Sequence, residues 1–132
     1  MALSDVFIVA SPNETHVEWI EIIKSYGSEK YIFCEKPPAS DLKELSKISE
    51  YNPKIFFNFN YRYSLLSNKI KNFLESGELG NLVFASFISS HGLAFKKNFK
   101  DNWRFKGNNL ASSIIGNLGI HYIDLISYLF GP

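Results

Sequence analysis

At 132 residues and a net charge of +1, the chain is about the size of one domain and lacks the basic excess that holds nucleic acid or acidic polymers by charge alone. Its 45% hydrophobic content supplies a core, yet no apolar run reaches the roughly 20 residues that cross a bilayer. The single cysteine, Cys34, excludes an internal disulfide, and no leader-type pattern follows Met1, so a reducing cytoplasm is the expected setting.

Strands and helices alternate along the chain. Phe7 to Ala10 reads as a short buried strand, followed by a capping box of Ser11, Pro12 and Glu14 with proline at the first helical position. The helix that follows buries Val17, Ile20 and Ile23 and ends at Gly27. Tyr31 to Cys34 is the next strand. It runs into Glu35-Lys36-Pro37, and Pro37 with Pro38 stops further ladder bonding. Asp41 and Glu44 open a helix with Leu42, Leu45 and Ile48 inward, which Pro53 closes. Lys54 to Tyr61 is apolar enough for a strand. Ser64 caps a helix whose Leu66, Ile70, Phe73 and Leu74 face the core, and Gly77 stops it. Leu82 to Ser89 reads as a further strand. The last element is helical: Leu118, Tyr122, Leu125 and Leu129 form an apolar stripe beside a polar row of Asn117, His121 and Asp124, with Gly131 as the stop.

Two of these features carry chemistry. A lysine at the end of a strand enters the crevice where open α/β sheets bind ligands, and burial there can bring an ammonium into the range of proton transfer. A lone Lys-Pro more often starts a solvated loop. A histidine on the edge of a buried helix face is, by itself, more often a packed residue than a catalyst. Lys36 and His121 together make a candidate pair for moving a proton. Other residues point to blander roles. Cys34 lies in an apolar run and suits a core position better than a nucleophile's. His121 and Asp124 are two ligands with no His/Cys cluster to complete a metal site. Phe95 to Lys106 interleaves lysines and Arg104 with aromatics, a pattern that also grips single-stranded nucleic acid. A small binding module is therefore the rival reading, opposed by the balanced charge.

The ordered motifs resemble the Gfo/Idh/MocA oxidoreductases, which act on sugars, cyclitols and related compounds with NAD or NADP. Asp5 to Asn13 followed by His16 is similar to the family's fourth sheet strand and its Pro-Asn turn. Cys34-Glu35-Lys36-Pro37 is similar to its Glu-Lys-Pro motif, and Asn58 to Tyr63 to its Asn-x-Arg segment. Gly77-Glu78-Leu79-Gly80, Trp103-Arg104 and Gly119-x-His121-x-x-Asp124 complete the series. No one motif is diagnostic; six in order are specific.

The resemblance implies an α/β fold: the C-terminal half of a Rossmann-like dinucleotide-binding domain over residues 1–60, then the start of an α+β substrate domain over 61–132, with Leu82 to Ser89 as that domain's first strand. It implies a catalytic set of Lys36, His121 and Asn117. Lys36 would hydrogen-bond the substrate hydroxyl and His121 would take or return its proton. Ser11, Pro12, Asn13, His16, Glu35, Lys36 and Pro37 would border the NAD or NADP cofactor. His16 is equally readable as a first-turn packing residue, and His91 has no counterpart. Arg62, Trp103, Arg104, Asn117 and His121 would meet a small sugar or cyclitol substrate. Homo-oligomers through the C-terminal domain are implied. The composition argues against a membrane partner, and the balanced charge argues against nucleic acid.

Two departures stand out within the motifs. Asn117 occupies a place where many members carry aspartate, and an amide cannot stabilise an imidazolium by charge. Ala111-Ser112-Ser113 replaces a glycine-rich turn. A larger difference is that no Gly-x-Gly-x-x-Gly turn occurs in the 132 residues. The expectation is a fragment of a longer oxidoreductase frame, inactive alone or dependent on another polypeptide.

Overall fold

The computed structural model describes residues 3–48, 54–90, 92–101 and 113–131. Three short strands, β1 (Val6–Val9), β2 (Tyr31–Cys34) and β3 (Ile55–Phe57), form one parallel sheet in the order β1-β2-β3, with Val9, Cys34 and Phe57 in register. Helix α1 (His16–Ser25) crosses from β1 to β2, and the short α2 (Leu42–Lys47) lies between β2 and β3. Two successive right-handed crossovers in one direction put both helices on the same side of a sheet. The core sits there: Val9, Ile32 and Cys34 pack against Ile20 and Ile23, flanked by Phe7, Ile48, Ile55 and Phe57. This is the expected Rossmann-like α/β arrangement, and Val17, Ile20 and Ile23 are the buried face of α1 as the periodicity requires.

The opposite face is different. Val6, Ile8, Tyr31, Phe33 and Phe56 point away from the helices and remain exposed, Ile8 at 80%, with Phe33 and Phe56 stacked at 5.0 Å. Parallel sheets ordinarily carry cover on both faces. Among the described residues this one is covered on one.

Helix α3 (Leu65–Ser76) begins at Ser64, whose hydroxyl accepts from the Ser67 amide, and stops at Gly77 in the left-handed region (φ 75°), which a residue without Cβ adopts freely. Helix α4 (Ile120–Phe130) follows a π-helical turn over Ile115–Gly119 and packs on α3 and on the 3₁₀ turn Asn60–Tyr63. It buries Leu125 and Leu129, with Leu118 and Tyr122 partly covered.

Several expectations are corrected. Ser11 does not cap α1: its hydroxyl meets that of Thr15 at 2.7 Å, Pro12 is extended, and a 3₁₀ turn at Asn13–Thr15 delays the helix to His16. Asp41 does cap α2, accepting from the Glu44 amide at 2.8 Å, but Leu42 is 79% exposed and Leu45 is also open, because the helix is only six residues long and it is Ile48, just past its end, that reaches the core. Strand pairing at Lys54 to Tyr61 stops at Phe57, where the chain turns into the 3₁₀ segment. On α3, Leu66 and Phe73 are exposed, while Ile70 and Leu74 are half-buried, since α4 covers only part of that face. Leu82 to Ser89 forms no ladder: among the described residues no strand lies alongside to pair with it. Pro53, which was to close α2, lies outside the described residues.

Candidate active site

The site forms where β2 and β3 end. Beyond Cys34 the ladder continues for one more step on each side, with the Glu35 amide donating to Val9 O at 2.9 Å and the Asn58 amide to Cys34 O at 2.8 Å. Asn58 Nδ2 donates to Glu35 Oε1 at 2.7 Å, tying the two strand ends together beneath the Lys36-Pro37 turn. Lys36 is thus carried on a braced support. Its ammonium donates to Asn117 O at 2.6 Å and to Asn117 Oδ1 at 2.8 Å, a double contact across 81 positions of sequence. The π-helical turn presents both oxygens; such turns interrupt regular helical bonding and recur at functional sites.

One turn further, His121 is buried, with the Tyr61 ring stacked on it at 4.5 Å and Phe59 meeting it edge-on. Its Nδ1 is buried with no hydrogen-bond partner among the described residues, and burial together with the Lys36 charge holds the imidazole below the ordinary histidine range. The ring therefore stays neutral at neutral pH and can accept a proton. The phenol of Tyr61 is raised by burial and by its Tyr122 neighbour, so it too stays neutral.

The remaining candidates fall in distinct places. His16 is fully enclosed: Nδ1 lies 2.9 Å from Pro37 O and Nε2 3.0 Å from Ser11 O, so both ring nitrogens face backbone carbonyls and the ring joins the Ser11-Pro12 turn to the Lys36-Pro37 turn. Ser11, Pro12 and Asn13 follow β1 beside Lys36's turn, with Ser11 lining an apolar groove along β1 with Ile8, Trp19 and Ile23. Arg62 forks onto Asp124, with Nε donating to Oδ2 at 2.7 Å and Nη2 to Oδ1. Trp103, Arg104 and His91 lie outside the described residues, as do Ala111 and Ser112. Cys34 is 1% exposed and its thiol is pushed up to about 12 by burial, which removes it as a nucleophile at neutral pH. Among the described residues no cluster of three or more metal-ligating side chains occurs, and no helix is long and apolar enough to cross a membrane. The residue that sequence reasoning missed is Tyr61. The sole hint was its position inside the Asn58–Tyr63 motif.

The chemistry of the donor set bears on a dinucleotide. An ammonium and a neutral imidazole at the C-terminal end of a parallel sheet fit the nicotinamide and carbinol end of a redox complex. The pyrophosphate end has no Gly-x-Gly-x-x-Gly turn among the 132 residues.

These elements define a Rossmann-like α/β unit with a polar centre at its strand ends. The pattern described as the GFO/IDH/MocA C-terminal domain matches residues 67–132, half of the chain, and the chain belongs to the Gfo/Idh/MocA family. It is 36% identical over 132 residues to glucose-6-phosphate 3-dehydrogenase of Bacillus subtilis, an alignment covering 96% of this chain and 37% of that protein. It is 28% identical to levoglucosan dehydrogenase of Pseudarthrobacter phenanthrenivorans, covering 93% of this chain and 32% of that one. Scyllo-inositol dehydrogenase of Lactobacillus casei, solved with bound NAD(H) and scyllo-inositol, superposes with a TM-score of 0.80 at 22% identity, covering 98% of this chain and 38% of the other. The chain thus spans about a third of the length of these relatives.

Asn117→Asp tests the electrostatics directly. A carboxylate at the Lys36 ammonium offsets the charge that now depresses His121, so the His121 midpoint is expected to rise toward the ordinary value of 6.5. Titration of the ring by NMR in both forms checks the sign. A fall, or no change, would exclude Lys36 as a source of the depression.

Proposed function

We propose that the chain carries the proton-handling part of an NAD(P)-dependent oxidoreductase acting at a hydroxyl carbon of a sugar, cyclitol or related small substrate. The observation that carries this is the convergence of Lys36, Asn117 and His121 at the strand ends. The dehydrogenase names of the relatives support the reaction class.

In this reading the turns Ser11–Asn13 and Glu35–Pro37 border the dinucleotide, and His16 holds the two turns at a fixed separation. A nicotinamide cofactor held there would supply the hydride chemistry at the substrate carbon. Lys36 orients the hydroxyl by donating to its oxygen. Asn117 keeps the ammonium aimed, and its amide can bond a second hydroxyl. His121, neutral and shielded by Tyr61, accepts the hydroxyl proton as the carbon is oxidised and returns it in reduction. With Asn117 rather than a carboxylate beside Lys36, the anions among the described residues that steady the imidazolium are Asp124 and Glu35.

The reading divides the chain into a nucleotide-side segment, 1–60, and a substrate-side segment, 61–132; the family match beginning at residue 67 supports the division. Exposed Leu65, Leu66 and Phe73 on α3 support self-association through the second segment. The cytoplasm suits a reaction drawing on soluble NAD(P). Alone, the chain is expected to bind NAD or NADP weakly or not at all and to be inactive.

Calorimetry with each dinucleotide tests the first expectation, and micromolar affinity would contradict it. Joined at its N-terminus to the Gly-x-Gly-x-x-Gly-bearing half of a relative, the chain should reduce NAD or NADP with at least one member of a panel of sugar phosphates and cyclitols. Silence across the panel, from a joined protein that binds dinucleotide, would defeat the reaction assignment.

A further inference from the structure

Arg62 lies in the turn after β3, on the same side as the proposed catalytic groups, and its motif suggests a substrate contact. The geometry assigns it another task. Both Nε and Nη2 are committed to the two oxygens of Asp124, whose side chain is 8% exposed. The guanidinium also lies 5.8 Å from the Phe59 ring centre and 5.4 Å from that of Tyr128, while Lys71 of α3 sits over the same Tyr128 ring at 4.0 Å. A bidentate fork fixes distance and angle together, unlike a single contact. Its two ends lie next to the two halves of the proton-transfer site: Arg62 adjoins Tyr61, which stacks on the imidazole, and Asp124 is one helical turn beyond His121 on α4.

We propose that Arg62 is a positioning residue: forked on Asp124, it locks the β3 turn to helix α4 and so holds the His121 ring against Tyr61, instead of meeting substrate. The pair also balances charge. A buried carboxylate one turn from an imidazole favours the imidazolium unless a cation shares it. The groups bearing on His121 are Lys36 and Glu35 from the turn after β2, Tyr61 from the turn after β3, and Asp124 from α4 itself. Of these, Asp124 is the one whose field Arg62 controls.

The proposal rests on His121 as the proton-transfer group, but its test does not need turnover. The His121 ring is titrated by NMR in the 132-residue chain and in two variants, the resonance being assigned by its loss in His121→Gln. Arg62→Met, which keeps an apolar stem against Phe59 and Tyr128, leaves Asp124 unshared and should raise the His121 proton affinity by about threefold or more. Asp124→Asn removes the carboxylate and should lower it by a similar factor. Opposite shifts support the proposal. A simple loosening of the helix would move both variants upward toward the ordinary histidine value, and that outcome overturns it, as does no shift in either. If Arg62→Met fails to fold, the sign of the Asp124→Asn shift decides: downward supports, upward or absent refutes. In the joined protein a rise in KM for Arg62→Met with an unmoved His121 titration would return Arg62 to the substrate. Failure of the whole oxidoreductase reading would leave the titration pattern intact, so the two can be told apart.

Discussion

Replacing His121 with alanine, in the chain joined to a nucleotide-binding half, is expected to lower kcat by about 10²- to 10⁴-fold while dinucleotide affinity changes little. The ring is the group at this site whose neutral form can take a hydroxyl proton at neutral pH, and its depression has a clear cause in burial and the nearby ammonium. Lys36→Ala should give a loss of the same order for a different reason. It removes the donor that aims the hydroxyl and severs both contacts to Asn117. The two variants should diverge in their pH behaviour. Without Lys36 the His121 midpoint rises, so the acid limb of the residual activity moves to higher pH; steady-state kinetics across pH 5 to 9 would read it. Turnover within a few-fold of the parent in either variant would remove that residue from the chemistry. An unmoved acid limb in Lys36→Ala would separate the ammonium from the imidazole.

The second large effect is on stability. His16→Ala is expected to cost about 2–4 kcal/mol, because it removes a buried ring that lies between Pro37 O and Ser11 O and donates to at least one of them, and an orphaned buried acceptor costs roughly 1–3 kcal/mol. A cavity of ring size adds to this. The loss is large against the 5–15 kcal/mol that holds a typical domain folded. Urea unfolding followed by circular dichroism gives the number. His16→Asn, which can still bond one carbonyl, should recover part of it. A change under 0.5 kcal/mol for His16→Ala would mean that the two turns are held by something other than this ring.

What was legible in the sequence was what short-range chemistry decides. Tyr31 to Cys34 is a strand because four apolar residues run into two prolines. Val17, Ile20 and Ile23 face inward because they recur at helical spacing, and Ser64 and Gly77 bracket α3 by a cap and a left-handed stop. What depended on distant partners was not. Leu42, Leu66 and Phe73 carry the right spacing for burial, yet burial needs a second surface, and among the described residues none covers them. Leu82 to Ser89 has a strand's composition and, among the described residues, no neighbour to pair with. The same division runs through the site. Lys36 and His121 stand out by motif, and the structure brings Lys36 to the turn that leads into His121's helix. The engagement of Arg62 by Asp124, 62 positions away, and the closure of His16 on two carbonyls are tertiary facts with no local signature.

One detail of the Lys36 contact bears on how this centre tolerates change. Of the two oxygens that grip the ammonium, the shorter bond goes to the main-chain carbonyl of residue 117, and every amino acid supplies that atom. Drift at position 117, from acid to amide or to something smaller, would therefore adjust the charge around the lysine without releasing it. The anchor is inherited with the shape of the chain, and the side chain is left free to tune it.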